Sequence, residues 1–350
     1  MNIRLASVTD APGWDAFVDR FSDASPYHLW AWKEAVEDAY SHKGYYLLAE
    51  ENGAVVGILP LIHMRLPFLM NQLVSLPFCD IGGCLATSPA IESQLIDEAI
   101  RIGDELKVKI VEIRGRVPTI KAANRPVTVS SDKVRMVLDL PPSSAVLWES
   151  FKSKLRSQIN RSSKNGLIFS WGSVDIVEQF YDVFSANMRD LGSPVHAKGW
   201  VQAILTRYGS GGRMGLILKD EKPVACGIIL MTSKRICIPW ASTLRDYNNL
   251  SPNMLLYWSL LEYAADSGHE SFDFGRSTPG EGTYRFKSQW GAEPQALYWH
   301  TIHMNDQSAK TQGKSSKSNS RRAQLASLWA RLPLWLANYI GPRLRRHITL

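Results

Sequence analysis

One pattern of elements occurs twice in this chain, and that duplication constrains the fold more than any other feature of the sequence. In the first half, "YYLLAEENGAVVGILPLIHM" (Tyr45–Met64) reads as two strands about an Asn-Gly turn, and "SLPFCDIGGCLA" (Ser75–Ala86) as a further strand-like run with a glycine pair. From about Pro89 to Leu106, the residues Ile91, Leu95, Ile96, Ala99, Ile100 and Leu106 fall near helical spacing, and "VKIVEIRG" follows as a strand. The second half offers the same order: "MGLILKDEKPVACGIILMTS" with a turn at Asp220 to Lys222, the strand "RICIPWAST", the helix "SPNMLLYWSLLEYAADSG" and the strand "SFDFGRS". Two copies of one mixed α/β unit follow, with mixed sheets flanked by helices. The expected domains are 1–145 and 146–305, with 306–350 as a basic linker and amphipathic tail.

At 350 residues, 45% of them hydrophobic, the chain can bury two cores. The N-terminus has no uninterrupted apolar stretch of the kind a secretory signal needs, so a cytoplasmic protein is expected. No run of about 18 apolar residues argues for a spanning helix. Cys79, Cys84, Cys226 and Cys237 show neither CxxC spacing nor the density of a disulfide scaffold and read as reduced core residues. No metal site is expected, since no His and Cys pairs stand at zinc-like spacing. A serine nucleophile elbow, a Walker loop, HExxH and GxGxxG are all absent, which argues against hydrolase, nucleotide-driven and redox chemistry.

Charge is uneven along the chain. Of the 40 Lys and Arg, nine lie between Lys310 and Leu350, where there is no Asp or Glu; the other 309 residues hold 31 basic against 33 acidic side chains. The whole basic excess therefore belongs to the tail, and the isoelectric point says nothing of a nucleic-acid groove on the body. One local cluster stands out there. In "WESFKSKLRSQINRSSKNGLIFSWG", five cations (Lys152, Lys154, Arg156, Arg161, Lys164) fall on a helix-like stretch with Leu155 and Ile159 four apart, ahead of Gly166 as a cap and then a strand. No acid lies between Glu149 and Asp175 to pair with them, so either the face is simply solvated or an anionic ligand completes it.

The duplicated unit, the basic "KxRxxIxRxxKxG" helix between its copies and the closing "GTYRFKSQWGAEP" together resemble the FemAB (Fem-type) peptidoglycan aminoacyltransferases, which are built from two acetyltransferase-like (GNAT) domains. "SLPFCDIGG", "FDFGRST" and the tail phrase "LPLWLANYIGPRL" resemble more narrowly the FemAB-like proteins of exosortase and exopolysaccharide loci. The resemblance covers nearly the whole chain and implies acyl transfer to an amine of an envelope glycan or glycopeptide precursor. The implied donor is aminoacyl-tRNA or an acyl-CoA, and no resident cofactor is implied. Lys287, beside Phe286, matches the family's Phe-Lys pair, where the lysine stabilises negative charge developing near the donor. Asp80 matches an acidic loop residue and is the candidate base or amine-positioning group. Lys33 falls where the family contacts acceptor phosphates, although His28 stands at the glutamine of its Gln-x-x-x-Trp pattern. Arg156, Arg161, Arg276 and Arg285 are the further substrate-binding candidates, the guanidinium fork suiting phosphate or uronate.

The sequence departs from the pattern in three places. The Arg/Gln-x-x-Gly-x-Gly/Ala fingerprint of a standard CoA site is missing; "RYGSGGRMG" has glycines at the wrong spacing. No heptad-patterned segment corresponds to the helical hairpin that some Fem-type enzymes use for tRNA. The tail "LASLWARLPLWLANYIGPRLRRHITL" has no place in the minimal fold, and 320–350 reads either as an interfacial segment on anionic lipid at the inner face of the membrane or as a helix docked on the body. An acetyl-CoA-dependent N-acyltransferase of exopolysaccharide sugars and a non-catalytic, membrane-tethered scaffold remain the alternatives.

Overall fold

The structure is a computed structural model and describes residues 1–22, 24–122, 125–305 and 323–350. The chain forms two compact units. Unit 1 begins with β1 (Asn2–Leu5), α1 (Ala11–Val18), α2 (Trp30–Tyr40), β2 (Lys43–Gly44), β3 (Leu47–Glu51), β4 (Ala54–Leu59), β5 (Ile62–Leu66) and β6 (Met70–Val74). It continues with β7 (Leu85–Ala86), α3 (Pro89–Glu105), β8 (Ile110–Gly115) and β9 (Val127–Ser130). Unit 2 holds β10 (Val134–Asp139), α4 (Ser144–Ser150), α5 (Ser153–Lys164), β11 (Leu167–Gly172), α6 (Val177–Asp190), α7 (Lys198–Tyr208), β12 (Gly212–Lys219) and β13 (Lys222–Met231). It closes with β14 (Arg235–Thr243), α8 (Pro252–Asp266), β15 (Ser271–Ser277), α9 (Gly282–Ser288) and β16 (Glu293–Ala296). A last strand, β17 (Tyr298–His303), returns to unit 1.

The duplication is real at the level of pairing. In unit 1, β1 pairs β3, β3 pairs β4 and β5 pairs β6, all antiparallel; α3 then carries the chain over to β8, which joins β6 in parallel. Unit 2 repeats this with β11, β12, β13 and β14 antiparallel, α8 as the crossover and β15 parallel to β14. Each copy turns its β3–β4 or β12–β13 hairpin on two residues of positive φ, Asn52 and Gly53 in one and Asp220 and Glu221 in the other. That left-handed pair matches the twist of the flanking strands. The crossover α3 starts on Ser88, whose side chain accepts from the Ile91 amide, and on Pro89 at its first turn. It buries Leu95, Ile96 and Ala99 in a core shared with Leu47, Leu73, Val111 and Ile302.

The units do not follow the boundary expected at 145. β10 lies between β15 and β16 in the seven-stranded sheet of unit 2, while β17 lies between β8 and β9 in unit 1. The central strand of each unit is thus flanked by a strand from the far half of the sequence, an arrangement that local patterning cannot specify. One further expectation is corrected. "SLPFCDIGGC" is a loop following β6, because Pro77 has no N–H for a ladder and Leu76 and Phe78 adopt positive φ. "GTYRFKS", to which the sequence assigned no element, is the helix α9.

The tail, for which the sequence leaves an interfacial segment and a helix docked on the body both open, is docked over its described part; 306–322 lies outside the described residues. The C-terminal helix Leu334–Arg345 buries Ala337, Gly341 and Arg345, a stripe four residues apart. A Cβ at Gly341 would lie 3.1 Å from the Val195 nitrogen, and Asn338 Nδ2 donates to Ser185 Oγ. Arg345 Nε donates to His196 Nε2 at 3.0 Å. Burial, with Arg345 beside it, holds the His196 imidazole well below its usual range, hence neutral. The unfolded chain takes up that proton near pH 6.5 and the folded chain does not, so this stability is present above about 6.5 and is lost as pH falls below it. Melting of the wild type should lose up to about 1.4 kcal/mol per pH unit below 6.5 relative to His196→Gln. Parallel pH dependences for the two proteins would remove His196 as the cause.

Candidate functional site

The site of unit 2 originates in one proline. β14 pairs β13 as Ile228 with Trp240 and Leu230 with Cys237, so Ile238 and Pro239 oppose Ile229 alone. This bulge, placed where proline offers no donor, bends β14 immediately after Cys237. The parallel ladder between β14 and β15 accordingly covers only Arg235–Cys237 against Ser271–Asp273 and then stops. Beyond it, a cleft of about 350 Å³ is lined by Asn187 of α6, Ser242 and Thr243 of β14, Asn253 and Tyr257 of α8, and Thr283, Phe286 and Lys287 of α9.

Unit 1 treats the equivalent position differently. After β6 the chain stays laced to β8: the Ser75 amide donates to the Glu112 carbonyl, the Arg114 amide to Ser75 Oγ and the Gly82 amide to the Arg114 carbonyl. Arg114, fully buried, donates through Nη1 to the carbonyls of Leu76 and Cys79. A Cβ on Gly83 would meet the Arg114 carbonyl oxygen at 2.7 Å, so the loop fits only with glycine there. The gap that is open in unit 2 is filled in unit 1.

Lys287 is 8% exposed, and its ammonium donates to the carbonyls of Gly275 and Arg276 at 3.0 and 2.9 Å, at the end of β15. Gly275 has φ of +74°, and its amide is held by Asp273 Oδ1 at 2.8 Å. A short Asp-and-Gly bend thus turns two carbonyls toward one lysine and pins α9 to the strand. Phe286 packs edge-on against Tyr257 and Trp290, with ring centroids 5.0 and 6.2 Å away. Burial holds the Tyr257 phenol well above its ordinary range, hence protonated. The cleft therefore presents one fixed positive charge, amide and hydroxyl groups and two aromatic rings. Among its described lining residues there is no carboxylate and no histidine.

Of the residues singled out from sequence, Lys287 and Phe286 line this cleft, and Arg276 lies on β15 beside the carbonyls that Lys287 grips. Arg285 is exposed on α9. Arg156 and Arg161 lie on α5, whose buried face is Leu155, Ile159 and Ser162. The side chains of Lys152, Lys154, Arg156, Arg161 and Lys164 have no hydrogen-bond or ion-pair partner among the described residues. The start of α5 opens on a second cleft of about 390 Å³, floored by Leu138, Phe151, Leu155 and Trp290 and edged by Lys152, Lys154 and Gln158. Asp80 and Lys33 belong to unit 1. Asp80 is 5% exposed in the loop just described, and its carbonyl accepts from Trp299 Nε1. Lys33 is paired with Glu37 at 2.7 Å and lies over the Trp30 ring. Sequence reasoning missed Asn187, Ser242, Asn253 and Thr283, whose signal was the proline inside "RICIPWAST" and the Ser-Pro-Asn start of α8.

Among the described residues no group of three or more His, Cys, Asp or Glu could hold a metal ion, and no helix is long and apolar enough to cross a membrane. The four cysteines are free, and Cys79, Cys226 and Cys237 are buried.

Residues 149–288 match the family described as acetyltransferase (GNAT) domain. The fold is similar to that of FemX, with a TM-score of 0.68 at 13% identity over 88% of this chain and 98% of that one. It is also similar to the C-terminal domain of a putative lysylphosphatidylglycerol synthetase from Agrobacterium fabrum (TM-score 0.57, 14% identity, 87% and 94% covered). A tandem GNAT protein from the clavulanic acid biosynthesis pathway is similar at 0.54, with 12% identity over 87% and 98%. No curated protein matches the chain by sequence. Residues 149–288 are thus similar to a GNAT acetyltransferase domain, within a mixed α/β fold similar to those of FemX and a tandem GNAT protein.

Proposed function

We propose that the cleft of unit 2 is the transfer site of an N-acyltransferase that moves an aminoacyl or acyl group onto an amine of a cell-envelope glycan or peptidoglycan-type precursor. The observation that carries this reading is the buried ammonium of Lys287, fixed by two carbonyls where β14 and β15 part. In such a transfer the amine nitrogen attacks the donor carbonyl carbon, the carbonyl oxygen takes up negative charge, and the bond to the leaving oxygen of aminoacyl-tRNA or sulfur of acyl-CoA then breaks. A cation already held in place stabilises that oxyanion without reorganising. With no carboxylate or imidazole among the lining residues, the proton lost by the amine goes to water or to the leaving group. Either donor is polyanionic, and the unpaired cations of α5 suit one. A structural neighbour named as a lysylphosphatidylglycerol synthetase and the likeness of "GTYRFKSQWG" to Fem-type sequences support an aminoacyl donor and an envelope acceptor at the inner face of the cytoplasmic membrane.

Mass spectrometry of the purified protein should find charged tRNA, a CoA thioester or a lipid- or UDP-linked amino sugar, and incubating donor with acceptor should yield an amide. Arg156→Ala and Arg161→Ala should each weaken binding of the anionic ligand roughly 10- to 100-fold, the loss of one charged hydrogen bond, with turnover at saturation preserved. Failure to form an amide with either donor class over a panel of amine acceptors would favour the scaffold.

A further inference from the structure

We propose that the outer face of the C-terminal helix docks on an anionic lipid bilayer. The proposal is independent of the transfer chemistry. The helix Leu334–Arg345 has two opposed stripes. Ala337, Gly341 and Arg345 are buried against the body, and Trp335, Tyr339 and Arg343, offset from them by two residues and so by about 200° around the helix, point the other way. Trp335 is 71% exposed and Tyr339 60%, although both are large apolar rings that a docked helix would ordinarily turn inward. Arg343 lies with its guanidinium carbon 3.9 Å from the Tyr339 ring centroid, so cation and ring form one amphipathic surface. The preceding segment adds Leu325 and Leu328, 67% and 60% exposed.

Two features commit this face to lipid. Aromatic rings interleaved with arginine suit the headgroup boundary, where ring and charge are both accommodated. From Lys310 to Leu350 the sequence has nine cations and no acid, and among the described residues Arg331 and Arg343 are exposed, so an anionic surface complements this face. The rest of the chain, with 31 basic and 33 acidic residues, is nearly balanced in charge, which makes a second copy a weaker complement than an anionic bilayer. The docked stripe of small residues leaves the helix in place on the body, which presents the aromatic stripe without unfolding.

The test is co-sedimentation of the full chain with vesicles of phosphatidylcholine alone and of phosphatidylcholine containing roughly one-third phosphatidylglycerol, at low and high salt. The protein should pellet with the anionic vesicles only, and less at high salt. Trp335→Ser combined with Tyr339→Ser should cut the bound fraction about tenfold or more while leaving the melting temperature unchanged, since both side chains are exposed. Arg343→Ser should weaken binding at low salt and matter less at high salt. Equal pelleting of the double variant, or no pelleting of the wild type, would overturn the proposal. A concentration-dependent dimer that the double variant abolishes, without vesicle binding, would assign the face to a second copy instead.

Discussion

Lys287→Met should lower turnover by about 10²-fold or more, the loss typical of removing one fixed stabiliser of a developing oxyanion, while acceptor affinity changes little. Methionine keeps most of the apolar stem and removes the charge. The structure adds a second consequence, since the ammonium also donates to the Gly275 and Arg276 carbonyls. Two acceptors at a site that is 8% exposed lose their donor, at a cost of about 1–3 kcal/mol each, lessened where water enters the cleft. Melting and kinetics must therefore be measured on the same preparation, with rates referred to folded protein. A drop in kcat with KM unchanged supports the electrostatic role. A lower melting temperature with kcat intact would make Lys287 a clamp between α9 and β15 and nothing more.

The parts of this fold legible in the sequence were those encoded locally. The Asn52-Gly53 hairpin, the apolar spacing of α3, the cationic α5 with Gly166 behind it and the two central strands β8 and β15 are each specified by their own residues. What was not legible depends on partners. β10 and β17 were not singled out from sequence, and their places beside β15 and β8 are a matter of register with distant strands. α9 is seven residues long, too short for a periodicity to show, and its Thr, Tyr and Phe favour a strand; the grip of Lys287 on β15 and the packing of Phe286 on Tyr257 override that preference. The cleft was half legible. Lys287 and Phe286 came from a motif, whereas the residues opposite them depend on a bulge at Pro239 that exists only once β14 has found β13.

Asp273→Ala should be the most destabilising substitution near the site, by about 3–5 kcal/mol, and should lower the melting temperature by roughly 10 °C. Arg135 on β10 and Asp273 on β15 are 0% and 1% exposed, and their closest approach is 3.5 Å from Nε to Oδ2. None of the three guanidinium nitrogens has a hydrogen-bond partner. Removing the carboxylate leaves a cation that cannot be neutralised, enclosed by protein with nothing opposite it. The same aspartate accepts from the Gly275 amide and so shapes the bend that Lys287 grips. Asp273→Asn separates the two roles. It keeps an oxygen for Gly275 but offers Arg135 no charge, so it should melt nearly as early as Asp273→Ala while retaining far more turnover per folded molecule. Arg135→Met combined with Asp273→Leu replaces the pair by apolar side chains and should recover most of the stability, because a buried ion pair contributes little net once its desolvation is counted. If Asp273→Ala melts within a few degrees of wild type, Arg135 is satisfied by other means, and the cost assigned to its isolation is wrong.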